Sequence, residues 1–543
     1  MRKLLCLGVA GLSLCLAADY VAEGDLWWSH IQFLADDSLQ GRDTGSEGYR
    51  KAVDYVAGKM EKFGLKAAGT DGYAQPVKFE TRQLDEASTK VTLVREGSEE
   101  KLERADAVLN SRVDSGTVEA PMVFVGYGLR IPEAHYDELA NIDLKGKVAV
   151  YVNGPAPVDV PGPLKAHYSS ATERWNTLKS LGAIGIATIM SPRAPVGTGP
   201  AAQNAADGGR GGRGGPDGGG AGRGPQKVFV LADSSLQEQS GEKIALNITR
   251  AGGEKFFAGS GHTYQEILDL ARDNKPLPKF PLSGTLRANI AVKTESMEAP
   301  NVAGMLVGSD PKLKNEYVIM SAHLDHVGVG RAINGDTVYN GAMDDASGIA
   351  SILEIARIMK QDGMKPKRSI VFAAVAAEEK GELGSRYFAM HPTVDPKQIV
   401  ADINLDMFMP LFPLKFVEVQ GLDESSLGDT IRAAAKEFDV VVQADKEPDQ
   451  NRFIRSDQYS FIRNGVPALA FKFGYEFGTP EDKIFHDWIR DRYHKPSDDL
   501  NQPVDKAAAA KFDRMIASLL IRVADARERP RWKDDSFFRR FAK

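Results

Sequence analysis

The sequence predicts an α/β protein. Its main body reads as a mostly parallel mixed sheet sandwiched by helices, and a β-rich unit is inserted ahead of that body. Three observations carry this. EYVIMSA, SIVFAAVAA, VADINLDM and VPALAFKF are near-continuous apolar runs of strand length, as expected of strands buried on both faces. Helix-patterned segments, notably SGIASILEIARIMKQDG and SLGDTIRAAAKEF, lie between some of them. Upstream, PMVFVGYGL and GKVAVYVNG are short, β-branched and bounded by glycines.

Each element has its reason. Residues Asp25 to Leu65 look helical. In SEGYRKAVDYVAGKMEKFG the apolar Val53, Val56, Met60 and Phe63 recur at helical spacing, and Gly64 is placed as a C-cap. The middle region alternates: after its two strands, ERWNTLKSLGA reads as a helix and IGIATIM as a buried strand. Pro195 to Gln226 holds GGRGGRGGPDGGGAGRG, which cannot bury enough apolar area to offset chain entropy and reads as a disordered loop. DKAAAAKFDRMIASLLIRVADA supplies a closing helix, and the tail KDDSFFRRFAK carries no pattern. The expected organisation is a signal peptide over 1–18, a first part of the main domain over 19–85, an inserted unit over 86–285 containing the loop 195–226, the larger part of the main domain over 286–530, and a tail over 531–543.

Bulk properties exclude several classes. A chain of 543 residues exceeds one ordinary core. A net charge of −6 gives no basic excess for nucleic acid. MRKLLCLGVAGLSLCLAADY has the charged start, apolar stretch and small residues of a secretory signal peptide, and its apolar run is shorter than a membrane span needs. Both cysteines, Cys6 and Cys15, lie inside it. The expected mature chain is secreted or periplasmic, without a membrane span, a disulfide or a thiol nucleophile.

The chemistry sits at the ends of the strands, where sites form in such sheets. EYVIMSA runs into His323, Asp325 and His326; SIVFAAVAA into Glu378 and Glu379; VADINL into Asp406. GAMDDASG places Asp344 and Asp345 before the next helix. A strand-end aspartate alone reads as a cap or turn residue, with Ser347 better placed than the aspartates as N-cap. Four segments converging on one edge do not, because glutamates after a buried strand are costly without a compensating cation. A His/Asp/Glu set without cysteine suits zinc or a similar divalent ion, and an aspartate bridging two ions suits a two-metal site. Asp325 is spaced to accept the second N–H of His323. One of the two glutamates can ligate while the other acts as general base.

SAHLDHVG, GAMDDASG, AAEEKGELGS, NLDM and RYHKPSDD, in this order, resemble the co-catalytic di-zinc peptidases of metallopeptidase family 28. The family includes secreted bacterial aminopeptidases and glutamate carboxypeptidase II, with a zinc-exopeptidase, phosphorylase/hydrolase-like fold. The resemblance implies two zinc ions, one on His323 and Asp406, the other on Glu379 and His494, with Asp344 bridging. It implies Glu378 as general base and Tyr493 as an oxyanion donor. Asp325 and Asp498 would orient the ligand histidines, and Asp345 would shape the backbone presenting Asp344 through a cis peptide. His326 matches no ligand. RSDQYSF departs from a relative's pattern, with Gln458 where histidine usually stands, which leaves Asp457 and Gln458 without a role. The middle region, FVGYGLRIPEAHYDELANIDLKGKVAVYV followed by WNTLKSLGAIGIATIM, resembles the protease-associated (PA) domain of many relatives.

The implied function is a zinc-dependent aminopeptidase acting on peptide substrates. Three rivals stand beside it. A carboxypeptidase of the same fold would need a cationic pocket, for which Arg452, Arg455 and Arg463 are available. A one-zinc glutaminyl-cyclase-like acyltransferase is disfavoured by the two-metal ligand set. A non-catalytic binding protein such as the transferrin receptor would have lost ligands that this chain keeps.

Overall fold

The computed structural model describes residues 6–192 and 227–542, with side chains described from residue 20 onward except at Asp449. The signal-peptide reading of 1–18 falls on positions of which only the helical backbone from Cys6 is described. The loop expected over 195–226 lies outside the described residues.

Six strands of a nine-stranded sheet build the main body: β1 (Asn301–Leu306), β2 (Tyr317–His323), β3 (Ser369–Val375), β4 (Ile399–Asn404), β5 (Phe416–Gln420) and β6 (Ala468–Gly474). β2 runs parallel to β3, from Tyr317↔Ser369 to His323↔Val375, and parallel to β4 on its other side. β6 extends the parallel set beyond β4. β1 and β5 are antiparallel, against β3 and β6. All four expected strands therefore form, and they end at one edge. Among the described residues no helix is long and apolar enough to cross a membrane.

The apolar runs are continuous because both faces are covered. Along β2, Val318, Met320 and Ala322 enter one core, and Ile319 enters the other. Helices α1 (Cys6–Leu34), α2 (Glu47–Lys62), α3 (Ser347–Gln361) and α4 (Lys506–Asp525) pack into the first core. Phe388 and Phe461, on short helices over Leu383–Met390 and Gln458–Ile462, pack into the second. Trp27 of α1 is fully buried and its indole N–H donates to Ser351 Oγ at 3.0 Å. Truncating it to alanine would cost about 3–5 kcal/mol on the scale of buried aromatics.

The helix read over Asp25–Leu65 is two helices. After Leu34 the chain turns through Asp37–Arg42, with Gln40, Gly41 and Arg42 at positive φ. Asp36 accepts from Ser38 N–H and starts this turn, which drives the Arg42 side chain inward. α2 then begins at its Ser46 cap, and Gly64, at φ +73°, follows its end as expected. Ser347 is not a cap: its hydroxyl donates to Met343 O, and Asp345 Oδ1 accepts the Gly348 N–H instead.

Strands between Lys90 and Ile290 form a separate eight-stranded sheet, with Val148–Asn153 and Gly185–Met190 as parallel neighbours at its centre. It has its own core around Phe124, Trp175 and Phe257. A three-stranded ribbon of Lys78–Leu84, Val228–Leu231 and Val292–Glu298 stands at the junction of the two bodies. Glu238 is paired with Arg386 and Arg463 of the main body. The tail carries a pattern after all: Phe538 packs on Phe453 and Trp532, while Phe537 meets His167 and Arg540 pairs with Glu133 of the second body.

Candidate metal centre

β2, β3 and β4 deliver their terminal residues to one edge. His323 is the last residue of β2; Glu378 and Glu379 follow β3; Asp406 follows β4. The loop before α3 inserts Asp344 among them, across a cis peptide to Asp345. His494 arrives from the distant segment after Pro480–Asp491, at φ +52°.

Two donor sets result. In one, His323 Nε2 lies 3.1 Å from Asp344 Oδ1 and 3.7 Å from Asp406 Oδ1. In the other, His326 Nδ1 lies 2.9 Å from Glu379 Oε1 and 3.9 Å from Asp344 Oδ2. His494 Nε2 reaches the same two oxygens, at 3.1 Å from Asp344 Oδ2 and 3.2 Å from Glu379 Oε1. Asp344 thus offers one oxygen to each set. Five of the expected residues come together here, and His326, which the motif match passed over, joins them. Its position three residues after His323 was the available signal.

These residues fit metal ions. Asp344 Oδ2, Glu379 Oε1 and both ring nitrogens of His326 are buried and make no hydrogen bond, although His326 Nδ1 lies within 4 Å of both oxygens. Buried polar atoms that point at one another without bonding suit a shared cation. Charge agrees. Burial and the neighbouring Glu379 would raise the Asp344 carboxyl, yet His323 and His494 hold it well below the usual carboxylate range. Against burial, His494 and His326 hold Glu379 low, and His323 and Lys472 hold Asp406 at about 2. Asp345 goes the other way, pushed well up chiefly by burial. The adjacent pair is therefore pushed in opposite directions, which lessens its repulsion.

The supporting contacts differ from those expected. The carboxylate of Asp325 does not hold His323; the Asp325 backbone carbonyl does, 3.0 Å from Nδ1. The carboxylate accepts from Thr44 Oγ1 and from Glu378 N–H, so it positions the glutamate pair. Asp498 does not reach His494 Nδ1, which makes no hydrogen bond. It accepts the backbone N–H groups of Met343 and Asp344 and the Gln502 amide, and so holds the loop that carries Asp344. Asp345 accepts from Gly348 and Met407 N–H, tying the same loop to the segment after β4. Glu378 is buried beside Glu379, and the Tyr493 ring stacks on His494 at 4.0 Å. Gln458 accepts from Asn404 and donates to Phe453 O, bracing the end of β4. Asp457 is fully buried, and burial with the nearby Glu378 pushes its carboxyl well up.

Two cations not read from the sequence stand behind the acids. Arg42 is fully buried and donates to the carbonyls of Leu324, Leu34, Asn340 and Gly341. It joins the loop after His323 to the loop before Asp344. Lys472 Nζ donates to the carbonyls of Asp406 and Met407, each at 2.9 Å, and Ser456 Oγ donates to Asp406 Oδ2 at 2.6 Å.

Residues 301–520 match the model of peptidase family M28. Among curated proteins, the chain is 28% identical over 252 residues to leupeptin-inactivating enzyme 1 of Streptomyces exfoliatus, covering 44% of this chain and 50% of that protein. It is 32% identical over 123 residues to carboxypeptidase Q of Xenopus laevis, covering 22% and 24%. The chain thus spans half of the first relative's length and about a quarter of the second's. Among solved structures, the aminopeptidase from Aneurinibacillus sp. strain AM-1 superposes with a TM-score of 0.53 at 21% identity, covering 93% of this chain and 95% of that one. Residues 301–520 therefore carry the fold of the M28 zinc metallopeptidases, with two candidate metal-binding clusters at the edge where its parallel strands end.

Proposed function

We propose that this chain is a zinc-dependent exopeptidase that removes N-terminal residues from peptides. The observation that carries the reading is the pair of donor clusters sharing Asp344, with a second buried glutamate, Glu378, directly before the glutamate of one cluster. His323 and Asp406 would hold one zinc ion, Glu379 and His494 the other, and Asp344 both. When bound, the two ions supply Lewis acidity, polarising the scissile carbonyl and acidifying the attacking water.

The chain's own residues do the rest. Glu378 takes a proton from the attacking water on its carboxylate and returns it to the leaving amine. Asp325 holds Glu378 in place through its backbone N–H. Tyr493, fixed by its stack on His494, donates its phenol hydrogen to the developing oxyanion. The second body, clamped through Glu238, flanks the helices beside Glu378 and limits substrate length, the role the protease-associated reading gives it.

Charge supports attack at the N-terminal end. The cluster's carboxylates suit a substrate ammonium. A terminal carboxylate needs a spare cation, and Arg452 and Arg463 are already engaged by Glu447 and Glu238, Arg455 donates to Gln450 O, and Lys472 is turned onto backbone carbonyls. The test is a matched pair of peptides, one free and one acetylated at its N-terminus, with zinc and with chelator. Zinc-dependent release of the first residue from the free peptide alone is expected. Release of the last residue from both would make the enzyme a carboxypeptidase, and no release from either would refute the exopeptidase reading.

A further inference from the structure

The two donor sets are not equivalent. One contains a single imidazole nitrogen, from His323, and two carboxylate oxygens. The other contains the oxygens of Asp344 and Glu379, and two imidazoles reach them, from His494 and His326.

His326 is built into this position. It is fully buried, and neither ring nitrogen has a hydrogen-bond partner, an arrangement a folded protein rarely keeps without use. Its Nδ1 is 2.9 Å from Glu379 Oε1, which is equally without a hydrogen bond. Its backbone N–H donates to Arg42 O at 3.3 Å. Gly341, at φ +64°, leaves the room the ring occupies, since a Cβ there would stand 2.5 Å from His326 Cγ. The glycine serves the ring as much as the turn.

We propose that His326 is a fourth protein ligand at the second metal position, which makes the two positions unequal in kind. This rests on the metal reading above. A divalent ion held by four protein groups is bound more firmly than one held by three, which leave more room for exchange with solvent. The Glu379 position would then hold the more firmly bound ion and the Asp406 position the more exchangeable one. Nitrogen donors also suit zinc better than hard cations, so the resident position would discriminate against magnesium and calcium.

The test uses the full chain loaded with two zinc ions and exposed to graded chelator, with metal counted per chain. Wild type is expected to lose its ions in two separate steps. In H326N the later step moves to about tenfold lower chelator or beyond, the scale of losing a metal-supporting group, while the earlier step stays. D406N moves the earlier step. A readout that needs no variant comes from cobalt-substituted wild type. Its proton spectrum should show three paramagnetically shifted imidazole N–H signals, from His323, His326 and His494, and H326N should show two. Two signals in wild type, or unchanged release in H326N, would overturn the assignment while leaving the two-metal reading intact. A wild-type chain that takes up no metal would overturn both.

Discussion

Replacing Arg42 by methionine tests how the site is held. The side chain is fully buried, and its guanidinium donates to four backbone carbonyls: Leu324 at 3.1 Å, Asn340 at 2.7 Å, Gly341 at 3.0 Å, and Leu34. Burial pushes its pKa down to about 10, with Asp498 and Asp325 opposing, so it remains charged at neutral pH. Each bond from a charged donor contributes roughly 1.5–3 kcal/mol, partly offset because the variant no longer desolvates a guanidinium. Breaking such a buried network leaves a net loss of about 3–5 kcal/mol. Chemical unfolding of the metal-free chain, followed through Trp27 and Trp28, would report it. Zinc affinity should fall as well, by roughly 10- to 100-fold, because the loops bearing His323 and Asp344 are both suspended from this residue. R42K separates charge from shape: it keeps the cation and loses the planar fork, so most of the loss should remain. A methionine variant within 1 kcal/mol of wild type, or R42K indistinguishable from it, would refute the reasoning.

The remaining expectations concern the metals, the base and pH. E378Q should keep both zinc ions and lose roughly 10²- to 10⁴-fold in kcat, the usual contribution of a general base, and a variant with near-normal turnover would remove Glu378 from that role. Chelation should lower the melting temperature, since each ion at free concentrations a thousandfold above its Kd stabilises by about 4 kcal/mol, and identical melting curves with and without zinc would count against bound metal. His486 should make stability pH-dependent on the alkaline side. Its pKa is raised to about 9, by Glu447 first, with burial opposing. A raised folded pKa gives stability that is fully present below the unfolded value of about 6.5 and lost as pH rises through about 9. H486Q should flatten that window, and an unchanged slope would assign it to another group.

Much of the main sheet could be read in advance because its strands are buried on both faces, so apolarity runs unbroken and the polar residues that follow stand out. That is why His323, Asp344, Glu379, Asp406 and His494 were named together and are found together. What escaped depends on contacts that spacing cannot show. Whether the carbonyl or the carboxylate of Asp325 meets His323 is a matter of one side-chain torsion. Asp498 lies near His494 in sequence but is turned onto the Asp344 loop. Arg42 falls inside the stretch read as helical, and three of its four carbonyl partners lie hundreds of residues away. His326 lies inside SAHLDHVG but at a position that matches no ligand, so the resemblance gave it no role. The tail was opaque because its phenylalanines find partners on two different bodies.

The packing of α1 against α4 has a consequence for how the main body opens. Glu23 and Asp25 of α1 pair with Arg514 and Lys506 of α4, and both helices share one core with the central strands. These ion pairs join residues 491 and 481 positions apart. Neither helix can leave without exposing apolar surface of the other, so the two should exchange their amide hydrogens as one cooperative unit, independently of the sheet around Phe124 and Trp175.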